Sequence, residues 1–147
     1  MDKFICKLEV ELPIYINVKN GKKIKRYSLT MNNYRNLHQQ ILNKMKKAFT
    51  DNVSFLINNE KPILSNKVVI DYILYFPDKK RRDVANFGAV VDKFFEDCLV
   101  KKQIIEDDCW KVVKIVSFKF GGIDKENPRC EAYVGIWKNE ENENDNL

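Results

Sequence analysis

The segment Val68–Phe76, VVIDYILYF, constrains the fold more than any other, because eight of its nine side chains are aliphatic or aromatic. β-Branched and aromatic side chains suit a packed, pleated surface, and Pro77 closes the run before it is long enough for a buried helix. The run predicts a central strand around which the rest of the chain must be arranged. With 147 residues, 44% hydrophobic and 32% charged, the chain is expected to form one domain. A core of that size buries roughly two-thirds of the unfolded surface and requires no covalent staple.

Strict alternation from Lys3 to Leu12 sends Phe4, Cys6, Leu8, Val10 and Leu12 one way and Lys3, Lys7, Glu9 and Glu11 the other. That is the pattern of a half-buried strand. Asn20-Gly21-Lys22-Lys23 is a hairpin signal, since Asn-Gly supplies the positive φ angles of a tight turn. A second strand is expected through residues 25–29. Leu37, Ile41, Met45 and Phe49 recur every fourth position and predict a helix over 33–49, with Lys44, Lys46 and Lys47 on its exposed side. After Pro77 come the basic loop 78–83, a helix from about Val84 to Lys101, and an acidic turn over 104–108. A strand over 110–120, a Gly121-Gly122 turn and a last strand over 129–137 complete the order, roughly β-β-α-β-α-β-β. The expected fold class is therefore α/β, a mixed β-sheet covered by two main helices.

Charge is distributed unevenly. The last nine residues, NEENENDNL, hold four acids and no base, which leaves 26 basic against 17 acidic residues, +9, on residues 1–138. The expectation is a basic domain over 1–138, suited to a polyanionic partner, and a disordered acidic tail over 139–147. No apolar run approaches the ~20 residues that span a bilayer. The first residues lack the apolar stretch of a signal peptide, so a cytoplasmic protein with no membrane partner is expected. Cys6, Cys98, Cys109 and Cys130 are scattered and His38 is the one histidine. Zinc-ligand spacing is missing, and unbridged thiols are expected.

Chemistry-bearing residues gather after the central strand. Lys79, Lys80, Arg81 and Arg82 are four consecutive positive charges, followed at once by Asp83. Glu106-Asp107-Asp108 stands at the far end of the same helical unit. Adjacent carboxylates repel one another unless they are solvated or bind a cation, and hard cations such as Mg²⁺ prefer carboxylate oxygens and water. On composition alone a solvated helix end and turn is the simpler account of residues 106–108. A helix of 16–18 residues is about 25 Å long, so Asp83 and Asp108 meet only if the loop and the sheet pairing return the chain. On the helix itself, Asn86 and Lys93 come back to within about 20° of one face. Phe87, Val91, Phe94 and Cys98 occupy another face, and Phe87, Phe94 and Phe95 are expected in the core or an interface.

The stretch KRRDVANFGAVVDKFFEDCLVKKQIIEDD resembles the core of the RusA family of Holliday-junction resolvases. That family's pattern is a basic run, Asp-x-Asp-Asn, a lysine-bearing helix and Gly-x-(Ile/Leu)-x-Asp-Asp. LTMNNYRNLHQQILNKMKKAF is similar to the first helical region of phage-type members, and the likeness covers most of residues 1–137. It implies a small homodimeric, Mg²⁺-dependent endonuclease, with Mn²⁺ as an alternative ion, that cuts four-way DNA junctions symmetrically in a bacterial or phage-infected cell. Asp83, Asn86, Lys93 and Asp108 would be the catalytic set, with Asp83, Asp108 and Asp107 as metal ligands. Lys79, Lys80, Arg81, Arg82 and Arg35 would contact branched DNA. Ala85 stands where the family's second aspartate is usual. Three readings follow: a variant site with Asp107, Glu106 or Asp92 supplying the missing oxygen, a junction-binding protein that does not cut, or an engineered replacement at Ala85. A module whose basic loop docks an acidic protein is a further alternative.

Overall fold

A computed structural model describes residues 4–63 and 67–138; the expected acidic tail, 139–147, lies outside the described residues. Six strands and three helices follow one another as β1 (Phe4–Leu12), β2 (Tyr15–Asn20), β3 (Lys23–Ser28), α1 (Met31–Asn36), α2 (Gln39–Leu56), β4 (Val68–Phe76), α3 (Val84–Lys101), β5 (Val113–Ile123) and β6 (Arg129–Trp137). A four-stranded sheet runs in the order β1-β6-β4-β5, and β2 and β3 form a separate hairpin. β4 is central, antiparallel to β6 and parallel to β5. The expected mixed α/β sheet is what the chain forms.

Parity decides which side of the sheet is buried. Val68, Ile70, Tyr72, Leu74 and Phe76 of β4 enter one hydrophobic core with Cys130, Ala132 and Val134 of β6 and Leu8, Val10 and Leu12 of β1. The helices supply Met45, Phe49 and Val53 from α2 and Phe87, Val91, Phe94, Phe95 and Leu99 from α3. At Gly88, α3 lies close against β5, since a Cβ there would run into the Phe118 ring. Among the described residues, no helix is long and apolar enough to cross a membrane.

Three local expectations are corrected. The single helix over 33–49 is two helices, because Leu37 and His38 take extended backbone (ψ 150° and 142°) and His38 caps α2 by accepting the Gln40 N–H. α2 then runs on to Leu56 and buries Leu42 rather than Ile41. A strand not foreseen, β2, pairs with β3 across the predicted Asn20-Gly21 turn, where Gly21 has φ +67°. Gly121-Gly122 is not a turn. Both glycines lie inside β5 at a register shift opposite Leu74 and Tyr75, where any Cβ on Gly121 would strike Ile73 and Tyr75 and where Gly122 has φ +146°. β5 accordingly runs on to Ile123 rather than ending at Phe120, and it starts at Val113 rather than Trp110 because the Cys109 carbonyl accepts the Val112 and Val113 N–H groups in a turn.

Candidate functional site

The basic loop is folded by its own last arginine. Asp78 Oδ1 accepts the Lys80 N–H at 3.0 Å and Arg82 Nη1 at 2.7 Å, and Nη1 also donates to the carbonyls of Asp78 and Lys80. The Arg82 bond is the main cause that holds the Asp78 carboxyl below its ordinary range. The Arg82 guanidinium lies 5.5 Å from the Phe76 ring centroid. Arg82 is therefore an organiser of the loop, whereas Lys79, Lys80 and Arg81 point into solvent.

The β2–β3 hairpin brings a second group of cations to the same place. Arg26 stacks 3.9 Å from the centroid of Tyr15. Tyr15, Arg26 and Ser28 of the hairpin line one depression with Pro77, Asp78 and Arg82 of the loop. Exposed Lys19 shares the Arg26 face of the hairpin, whereas Lys23 and Lys25 lie on its other face, and Lys44 of α2 is tied to the hairpin by donating to the Lys19 carbonyl at 3.2 Å. Two segments more than 50 residues apart in sequence thus form one basic face around a tyrosine. An arginine stacked on a ring, as Arg26 is on Tyr15, keeps its planar donors free for phosphate oxygens.

The residues expected to be catalytic have other tasks. Asp83 is the N-cap of α3, its Oδ1 accepting the N–H groups of Ala85 at 2.9 Å and Asn86 at 3.4 Å. Asn86 Oδ1 accepts the Met31 N–H at 3.0 Å and so pins the start of α1. Lys93 is exposed, its Nζ 5.9 Å from the ring of Tyr34, which Lys46 approaches at 5.6 Å. Arg35, in the last turn of α1, is exposed.

Asp107 and Asp108 lie beyond the opposite end of α3. That helix has 18 residues, about 27 Å at 1.5 Å per residue. The sheet agrees: Val68 pairs with Val113 and Phe76 with Ile123, so the 106–108 turn stands at the start of β4 and Asp83 beyond its end. The expectation that Asp83 and Asp108 converge on one ion, with Asp107 beside them, is therefore corrected within a single subunit. Parallel pairing across the α3 crossover sends the two acidic points apart. Among the described residues no group of three His, Cys, Asp or Glu side chains is arranged to hold a metal ion, and Asp83, Asp107 and Asp108 do not form one shared site.

Of the acids that do meet, sequence reasoning named Asp92 only as a stand-in ligand and missed Glu96. Asp92 accepts the hydroxyl of fully buried Tyr72 at 2.6 Å. Glu96, one turn on and only 8% exposed, is pushed up to about 9, first by burial, then by hydrogen bonding and charge from Asp92, then by Asp108 and Asp97. The signal was present: two carboxylates at i and i+4 repel when both are charged, and a tyrosine inside an apolar strand needs a partner for its hydroxyl.

No protein-family model and no curated protein matches the chain. What the site can do rests on its own geometry. A basic, aromatic-lined depression at one end of the sheet can hold a phosphate chain by charge and by stacked guanidinium groups, without reading sequence.

Proposed function

We propose that this chain binds branched DNA through the face shared by the β2–β3 hairpin and the 79–82 loop, in the manner of the RusA-like proteins that its sequence resembles. The observation that carries the reading is the convergence of Arg26 and Arg82 on Tyr15. It turns two separate basic segments into one surface with exposed lysines on both sides. Phosphate neutralisation by such a surface supplies affinity and steering. A twofold dimer, acting in the cytoplasm, would present two such faces to a near-symmetric junction.

A second reading is Mg²⁺-dependent cleavage of the bound junction. It draws on the charge of Asp92 and Asp108 acting on Glu96, and in it Asp108, not Asp83, would be the acid that matters.

The test is a fluorescence-anisotropy titration of a labelled four-way junction and a linear duplex of equal length. Lys79→Ala/Lys80→Ala/Arg81→Ala should weaken junction binding at least about tenfold and flatten the salt dependence by roughly one logarithmic unit per lost phosphate contact. Unchanged affinity in the triple variant would refute the assignment, and no preference for the junction over duplex would favour a protein-docking module. Mg²⁺-dependent nicking that survives Asp83→Asn and fails in Asp108→Asn would select the second reading.

A further inference from the structure

Phe120 is 56% exposed, an unusual position for a phenylalanine on the helix-covered side of a sheet. Its parity-mates Val116 and Phe118 tuck against the core, and Phe118 lies beneath Gly88 of α3. Phe120 is one step further along β5, past the first turn of α3. One side of its ring stacks on Phe76, with centroids 6.1 Å apart and planes 17° apart. Phe76 meets Phe87 edge-on at 5.1 Å, and Phe87 meets Tyr15 edge-on at 6.0 Å. Four rings therefore form a continuous row, with Arg82 over Phe76 and Arg26 over Tyr15. The inner rings are fixed, Phe76 and Phe87 being 3% and 4% exposed. The row ends in Phe120, held flat by Phe76 and open to solvent.

We infer that Phe120 stacks on an unpaired base of the DNA whose phosphates the neighbouring basic face holds. The inference rests on the DNA-binding reading and adds to it a requirement for an exposed base face. Base–aromatic stacking needs a pre-oriented ring beside cations that carry the backbone, and both are present here. Position separates Phe120 from the other exposed rings. Phe55 stands at the end of α2 beside Leu56, whose depression is lined by β1 residues Glu9 and Glu11, and Trp110, flanked by Lys111 and Lys114, stands before the start of β5. Of the three, Phe120 is the ring that stacks on the row running to Tyr15.

The experiment measures binding of labelled dT20, a four-way junction and a linear duplex to the full chain, to Phe120→Ala and to Phe120→Tyr. The alanine variant should bind dT20 and the junction about tenfold more weakly. The duplex, whose base faces are hidden, should bind unchanged, and the tyrosine variant should match the wild type. Equal binding of dT20 and junction by Phe120→Ala, or equal weakening on all three probes, overturns the inference. If that happens while Lys79→Ala/Lys80→Ala/Arg81→Ala still loses affinity, the DNA-binding reading stands and only stacking falls. A wild-type chain that binds none of the three probes overturns both. Circular dichroism melts of the variants show that each probe is read on a folded protein.

Discussion

Replacing Glu96 by glutamine should stabilise the protein, and by an amount that depends on pH in a prescribed way. Glu96 lies on the buried side of α3, hydrogen-bonded to Asp92, which also accepts from Tyr72. Its carboxyl is raised from 4.5 to about 9, so at neutral pH the folded state keeps a proton that the unfolded chain releases. Below pH 4.5 the group is neutral in both states and its full contribution to stability is present. As pH rises toward 9 the unfolded state gains from ionisation, and stability falls by about 1.4 kcal/mol per unit. By pH 7 the accumulated loss is about 3 to 4 kcal/mol. Glutamine cannot ionise, yet its amide N–H still donates to Asp92. Guanidinium unfolding of Glu96→Gln and wild type at pH 4, 5.5, 7 and 8.5 should show equal stability at pH 4 and a widening advantage for the variant above it. A difference that is constant with pH, or a variant less stable than wild type at pH 7, would refute the assignment of a buried, proton-bearing Glu96.

Substitutions at three further positions separate structural from chemical roles. Asp83→Ala should lower stability by about 1 kcal/mol in a urea melt, whereas Asp83→Asn, an equally good cap, should change it by only a few tenths. Asn86→Ala removes the acceptor of the Met31 N–H and should cost about 1 kcal/mol, with faster amide exchange at the start of α1. Gly88→Ala drives a methyl into the Phe118 ring and should cost about 1–3 kcal/mol, read as a lower melting temperature.

The elements were legible where one residue pattern decides them. The β1 alternation, the apolar run of β4, the stripe of α3 and the Asn20-Gly21 turn are each set by side chains within a few positions, and β4 and α3 have the bounds that the pattern predicts. The break at Leu37-His38 was hidden because an apolar stripe at every fourth position reads through two helices as smoothly as through one. Gly121-Gly122 misled for the opposite reason. A glycine pair is the commonest mark of a turn, but here it marks close approach: Ile73 and Tyr75 of β4 occupy the space where a side chain on Gly121 would be.

The candidate site was legible as a list of residue types and not as an arrangement. Whether Asp83 and Asp108 meet is settled by the direction of β5 relative to β4, a property of neither segment alone. A parallel pair joined by one helix must place the helix start past the end of the first strand and the helix end before the start of the second. The same topology that parts those acids brings the other end of the sheet together. The loop after β4, the N-terminus of α3 and the far end of β5 all arrive at one edge, where the β2–β3 hairpin packs through Tyr15 against Phe87. Basic side chains and rings from four segments therefore share one surface, while the carboxylates of Asp107 and Asp108 are held about the length of α3 away, where they do not repel a phosphate chain bound there.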